Sequence, residues 1–297
     1  MTETTSLDIN SMSTADIHQI LLTAIAPRPI AFASTINKAG RVNLSPFSFF
    51  NVFSANPPIL IFSPARRVRD NTIKHTLENV RDVKEVVINI VNHSMVEQMS
   101  LTSTEYDKGI NEFLKSGLTP VDSIRVMPPR VKESPVSFEC EVDNIIELGK
   151  EGGAGNLIIS RVVMIHLNNT FLDENKKLDT KKLDLVARMG GNWYTRVNEQ
   201  SLFEIPKPIL TKGIGVDKLP SHIYKTSILS GNNIGRLGNA ERIPTKEDIL
   251  YFKQKPEYKK ILQHPNDQMK LEALHKLSKA YLLENNVDFA LKTLFCF

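Results

Sequence analysis

Residues 42–76 read VNLSPFSFFNVFSANPPILIFSPARRVRDNTIKHT. Three kinds of chemistry follow one another here. Ser45-Pro46-Phe47-Ser48-Phe49-Phe50 is aromatic and hydroxylic. Pro58-Ile59-Leu60-Ile61-Phe62 is an apolar run of the kind that forms a buried strand. Ser63-Pro64 signals a turn. Arg66, Arg67, Arg69 and Lys74 then follow beside Asn71, Thr72 and Thr76. This last group has the composition of an anion site leading into a helix. A flat aromatic ligand that carries a phosphate suits the whole stretch.

Working outward, Asp16 to Leu22 reads as a short helix entering Ala26-Pro27-Arg28-Pro29, where two prolines hold the chain extended. Ile30 to Ile36 reads as a strand, Asn37-Lys38-Ala39-Gly40 as a turn, and Arg41 to Leu44 as the returning strand. Phe47 to Phe53 and Ile59 to Ser63 are further strands. Thr72 to Val83 has helical spacing, with Ile73, Leu77 and Val80 on one face. Glu85 to Val91 is a strand by β-branched content. Ser94 with Glu97 three residues on has the spacing of a capping box. Glu105 to Gly117 reads as helix and loop. Ser137 to Leu148 and Leu157 to Leu167 form a long hairpin around Gly152, Gly153 and Gly155. Many strands with few helices predict a closed antiparallel barrel rather than an α/β sheet.

The composition changes near residue 200, which divides the chain into a domain over 1–199 and an extension over 200–297. Ile205-Pro206-Lys207-Pro208 reads as a linker. Gly213, Gly215, Gly231, Gly235 and Gly238 among asparagines predict irregular chain, and Thr245 onward is helical. Leu271, Leu274, Leu277, Tyr281 and Leu282 recur at helical spacing. Ala290, Leu291 and Leu294 follow the Asn285-Asn286 turn. This is the pattern of a single tetratricopeptide-type helix pair. One such unit does not bury its own face, so the barrel or a partner protein is expected to cover it.

The bulk numbers bound the function. The chain has 297 residues, an apolar fraction of 41% and a formal charge of +4. That is an ordinary globular composition, without the strong basic stripe of a nucleic-acid protein. Cys140 and Cys296 form neither a CxxC motif nor a disulfide framework. The start, MTETTSLDINSMSTAD, lacks the basic residues and apolar core of a signal peptide. With no long apolar run, a cytoplasmic location is expected and no membrane partner. The seven histidines are scattered, so no metal site is expected. No nucleophile elbow and no dinucleotide fingerprint occurs.

Each candidate site carries two readings. The arginine cluster is either a phosphate site at a helix start, where free amides and the dipole favour anions, or a solvated loop. Phe47, Phe49 and Phe50 either line a flat ring or pack a core. Arg188 to Tyr194 holds Gly190, Gly191 and the sole tryptophan, so Trp193 and Tyr194 either cover a pocket or cap a turn. His166 falls in a strand and reads as a structural histidine.

Several of these segments are similar to one family. Ala26-Pro27-Arg28-Pro29-Ile30-Ala31, Asn43 to Phe50, Pro57-Pro58, Lys74-His75-Thr76-Leu77-Glu78-Asn79 and Asn89 resemble the flavin reductase-like family, its flavoredoxin-like FMN-binding split-barrel members above all. Pro128-Pro129-Arg130-Val131, Glu133-Ser134-Pro135 and Arg188 to Tyr194 extend the resemblance over roughly residues 18 to 198. The resemblance implies a mainly β fold with helices: a six-stranded antiparallel Greek-key split barrel that forms a homodimer and holds FMN near the dimer interface. It implies that Ser45, Pro46, Phe47, Ser48, Phe49 and Phe50 lie along the isoalloxazine ring. It further implies that the loop from Ser63 to Thr76, with Arg67, Lys74 and Thr76, holds the phosphate, and that Arg28 is another FMN-side residue. His75 stands where the family has an acidic residue. The implied activity is an FMN-dependent oxidoreductase of the flavin reductase type, taking hydride from NADH or NADPH. The alternative is an FMN-binding electron carrier or flavin-storage protein without nicotinamide activity of its own. The cofactor carries such chemistry, so no catalytic acid or base is expected.

Overall fold

The computed structural model describes residues 3–205 and 211–297. The chain divides into two compact units, Met1–Phe203 and Glu204–Phe297. The linker reading falls mostly, from Pro206 on, outside the described residues.

In the first unit, helix α1 (Thr14–Ala24) is capped by Ser13, whose hydroxyl accepts from the Asp16 amide. The strands that follow are β1 (Ala31–Ile36), β2 (Val42–Phe47), β3 (Phe50–Ala55) and β4 (Pro58–Phe62). Next come helix α2 (His75–Asp82), strand β5 (Glu85–Asn89) and helices α3 (Val96–Leu101) and α4 (Glu112–Ser116). A short ribbon, β6 (Pro120–Val121) with β7 (Arg130–Val131), precedes the long hairpin β8 (Val136–Glu147) and β9 (Asn156–Leu167). A second ribbon, β10 (Val186–Arg188) with β11 (Tyr194–Arg196), closes the unit.

One antiparallel sheet runs β2-β1-β5-β8-β9-β4-β3. It has seven strands, not six. The aromatic stretch divides at Ser48 and Phe49, and β3 adds its own ladder to β4. Although β2 and β4 lie near opposite ends of this order, the rings of Phe47 and Phe62 are 5.5 Å apart. The sheet therefore curls until its ends meet over a shared interior, as a barrel must. That interior collects Ala31, Ala33, Phe47, Phe62, Val86, Ile88, Cys140 and Ile158, with Leu77 and Val80 from α2. A second core lies outside β1 and β2. There Phe32 and Leu44 meet Met95, Met99 and Phe113.

The capping box expected at Ser94 does not form. Its hydroxyl bonds Asn92 Oδ1, a 3-10 turn (His93–Met95) intervenes, and α3 starts at Val96 without a side-chain cap. His166 meets Glu139 at 2.6 Å, and the buried Glu139 carboxylate also accepts the amides of Ile124 and Arg125.

The second unit is helical: α5 (Gly231–Gly238), α6 (Lys246–Lys253), α7 (Pro256–Ile261), α8 (Asp267–Leu283) and α9 (Val287–Leu294). Of the glycines expected in irregular chain, Gly213 and Gly215 lie there, but Gly231, Gly235 and Gly238 lie in the helix α5. A reciprocal cap between Ser230 and Asn233 starts it, and Leu237 is fully buried. Gly238 packs closely, since a Cβ there would come within 3.1 Å of the Val216 backbone nitrogen. Within this unit the α8–α9 pair has neighbours of its own. Its apolar residues pack with Leu219, Ile223 and Leu237 on one side and with Phe252, Tyr258 and Ile261 on the other. Among the described residues, no helix is long and apolar enough to cross a membrane.

Candidate functional site

The site is assembled by hydrogen bonds between segments far apart in sequence. Asn43 on β2 donates to the Thr76 hydroxyl in the first turn of α2 at 2.9 Å, with both side chains buried. The Ser63 amide donates to the Phe49 carbonyl at 2.9 Å. These two bonds bring the Ser45–Phe50 segment, the end of β4 and the start of α2 together.

The basic loop after Ser63 is buttressed by the glycine turn between β8 and β9. Arg66 N donates to Ala154 O at 2.8 Å, and Gly153 N donates to Arg66 O at 3.0 Å. A Cβ on Gly152 would lie 3.0 Å from the Arg67 and Val68 carbonyl oxygens, so any larger residue would push the two chains apart by a few tenths of an ångström. A Cβ on Gly155 would meet Ser63 Oγ at 2.7 Å. That hydroxyl is itself buried and accepts from the Asn156 amide.

Within the loop, Arg66 turns back onto Asn71. Arg67 fixes one terminal nitrogen on the Thr72 hydroxyl and the Ile73 carbonyl. Its Nε lies 2.8 Å from a carboxylate oxygen of Glu105, and Arg69 reaches the other oxygen at 2.7 Å. Lys74 stands 3.8 Å from the same group. Hydrogen bonds from Arg69 and then Arg67 hold the Glu105 carboxyl down at about 2. Burial and the neighbouring Arg67 lower the Lys74 ammonium from its ordinary value, outweighing the opposing pull of Glu105.

Lys74 is the N-cap residue of α2, and no side chain caps that helix. Its leading amides are therefore available to an anion. Beside them lies a cleft of about 540 Å³, lined by Arg66, Arg67, Thr72, Ile73, His75 and Arg81 among others. Lys74 does not line this cleft. Arg81 is already engaged by Glu147. Chemically, the loop offers a terminal phosphate a helix start, a desolvated ammonium and a guanidinium held in place.

The aromatic segment is split by the strand alternation. Phe47 points into the barrel interior and Phe50 packs partly against it. Phe49 is exposed, with the His18 ring edge-on at 6.3 Å. Ser45, Pro46 and Ser48 are half-buried. Because β2 is an edge strand, its outer backbone groups need other partners. The Leu44 amide finds one in the buried carboxylate of Glu112, whose acidity is weakened by burial.

Arg28 is buried and bonded from all three of its guanidinium nitrogens inside the protein. It donates to the carbonyl oxygens of Leu22, Ile25 (2.7 Å) and Met189 (2.8 Å), and its Nε reaches Ser48 Oγ at 3.4 Å. It thus ties α1, the Ser48 bend and the β10–β11 ribbon together. Tyr194 in that ribbon lies under the Arg188 guanidinium at 4.6 Å. Trp193 is 77% exposed. Sequence reasoning missed Glu105, Glu112 and Asn43 as parts of this site. Glu105 lies 38 residues from Arg67 and nothing in its local spacing points to the cluster.

The flavin reductase like domain matches residues 23–182. An uncharacterised protein of Halalkalibacterium halodurans is 35% identical over 208 residues, covering 69% of this chain and 98% of that protein. Nitrilotriacetate monooxygenase component B from Bacillus cereus superposes with a TM-score of 0.64 at 29% identity, over 69% of this chain and 100% of that one. Flavoredoxin of Desulfovibrio vulgaris superposes with a TM-score of 0.54 at 18% identity, over 70% and 98% of the respective chains, and shares the fold. The barrel, the basic loop at the head of α2 and these matches lead to one assignment: the chain belongs to the flavin reductase like family, whose members are flavin-binding redox proteins.

Proposed function

We propose that this protein is an FMN-dependent oxidoreductase that takes hydride from NADH or NADPH and passes the electrons to an acceptor. The observation that carries the reading is the uncapped start of α2, with Lys74 and Arg67 beside it, tied by Asn43–Thr76 to the half-buried Ser45–Phe50 segment. A phosphate fits the first part and a flat polar-edged ring fits the second. Lys74, Arg67 and the α2 amides would hold the phosphate. Ser45, Pro46 and Ser48 would meet the ring edge, with Phe49 and Phe50 beside it. Thr76 and Ser63 would order the backbone of that site through their buried bonds. Arg28 would keep the Ser48 bend and the Trp193–Tyr194 ribbon in register around it.

When bound, FMN supplies a two-electron acceptor that also releases single electrons. The chain's own part is to bind, orient and shield, and no side chain is assigned a proton transfer. A homodimer belongs to the same reading: Val52 and Phe53 on the edge strand β3 are exposed apolar side chains that a second copy would cover. The monooxygenase component among the similar structures supports delivery of electrons to a separate acceptor.

The test is an absorbance spectrum of the purified protein followed by anaerobic NADH, then NADPH. Flavin bands that bleach faster than free FMN under the same conditions are the expected result. Bands that persist with both nicotinamides would overturn the reductase and leave an electron carrier.

A further inference from the structure

We propose that Glu105 is a built-in competitor that occupies the phosphate position of the flavin site and is displaced when a terminal phosphate monoester binds. The inference rests on the phosphate placement proposed above.

Arg67 is fixed independently of Glu105. Its Nη1 is held by Thr72 Oγ1 at 2.8 Å and by the Ile73 carbonyl at 2.9 Å, so its remaining donors stay aimed at one place. That place is filled by the Glu105 carboxylate, which receives Arg67 Nε at 2.8 Å and Arg69 at 2.7 Å. The carboxylate does not saturate it. Lys74 is left at 3.8 Å, beyond hydrogen-bond reach, and three cations face one negative charge, with Asp70 engaging only Arg69. Glu105 comes from the loop between α3 and α4 and its side chain is 42% exposed, so it leaves toward solvent without opening the core.

A phosphate monoester brings three terminal oxygens and up to two charges, against the carboxylate's two oxygens and one. It satisfies Arg67, Arg69 and Lys74 together, which Glu105 does not. A flavin without a phosphate has nothing to exchange for Glu105, and a small monoanion gains no charge over it. Glu105 thus lowers the affinity for every anion that displaces it by one common factor and leaves a flavin without a phosphate untouched.

The experiment compares flavin-free wild type with Glu105→Gln and Glu105→Ala, titrated with FMN, with riboflavin and with inorganic phosphate as competitor. Both variants are expected to bind FMN about three- to tenfold more tightly, the range set by exchanging one or two exposed ion pairs. Riboflavin affinity should stay unchanged, and inorganic phosphate should compete at lower concentration. Equal or weaker FMN binding in both variants, with unchanged melting temperatures, would overturn the proposal and make Glu105 a positioning residue for Arg67. Wild type that binds FMN and riboflavin equally well would instead overturn the phosphate placement itself.

Discussion

Asn43 Nδ2 donates to Thr76 Oγ1 at 2.9 Å across 33 residues of sequence, inside the protein. Thr76 is 1% exposed. Its hydroxyl therefore joins strand to helix before it meets any ligand. Thr76→Val removes the acceptor and leaves the Asn43 amide buried without its partner, at a cost of about 1–3 kcal/mol. Urea denaturation without flavin should show this loss, and Thr76→Ser should restore most of it. Full stability in Thr76→Val would show that the bond contributes nothing to the fold.

Arg28 gives the second prediction. Its guanidinium serves Leu22, Ile25, Met189 and Ser48, which are spread over more than 160 residues of chain. Burial, then the nearby Arg188, lowers its pKa, yet an arginine remains charged at neutral pH. Arg28→Lys cannot span these acceptors and should cost about 2–4 kcal/mol, since several buried carbonyls lose their donor. Trp193 is the sole tryptophan and sits in the ribbon that Arg28 anchors, so its fluorescence reads that ribbon directly. In the variant, the tryptophan signal should change at lower urea than the far-UV signal. Coincident transitions would mean that Arg28 does not hold the ribbon.

Lys74 should show itself in binding rather than stability. Lys74→Ala removes a charge-assisted bond to the proposed phosphate, worth about 1.5–3 kcal/mol, or roughly ten- to 150-fold in FMN affinity. The Lys74 ammonium is lowered from its ordinary value of 10.5 by burial and by Arg67. It therefore loses its charge at lower pH than a free lysine, and FMN affinity should decline correspondingly early on the alkaline side. Lys74→Arg keeps the charge and should flatten that decline. An identical alkaline profile in the arginine variant would place the titrating group elsewhere.

What was legible in the sequence follows from how local each signal is. The β-branched run of β5 and the alternation of β8 and β9 are set by neighbours two residues apart, and they emerged with ends displaced by one or two residues. The start of α1 was displaced by two residues. The helix α5 was missed because Gly231, Gly235 and Gly238 oppose a helix locally. Its stability comes instead from the Ser230–Asn233 cap and from burying Leu237. The residues proposed to touch a phosphate were readable as a cluster, since Arg66, Arg67, Arg69 and Lys74 fall within nine residues. Glu105, Asn43 and the Met189 carbonyl were not, because each acts through a contact fixed only by the folded chain.

The helical unit carries an acid-sensitive joint. His222 Nδ1 and His275 Nε2 are 2.9 Å apart, and His222 Nε2 lies 3.0 Å from the Leu294 carbonyl. A carbonyl only accepts, so His222 carries its proton on Nε2 and takes the His275 proton at Nδ1. Both rings are neutral in this arrangement, and a second proton has no acceptor between them. Burial lowers His222, and burial followed by His222 lowers His275 to about 4, with Glu272 opposing. The unfolded chain therefore takes up protons first as pH falls. The stabilisation is fully present above the ordinary histidine value of 6.5 and is lost progressively toward about 4, where His275 itself protonates. The loss should be on the order of 2 kcal/mol for this unit. His275→Gln keeps a donor for His222 but does not titrate, so calorimetric melting of this variant should lose most of the shift between pH 7 and pH 4.5. A variant that melts with the wild-type pH dependence would remove the histidine pair as its cause.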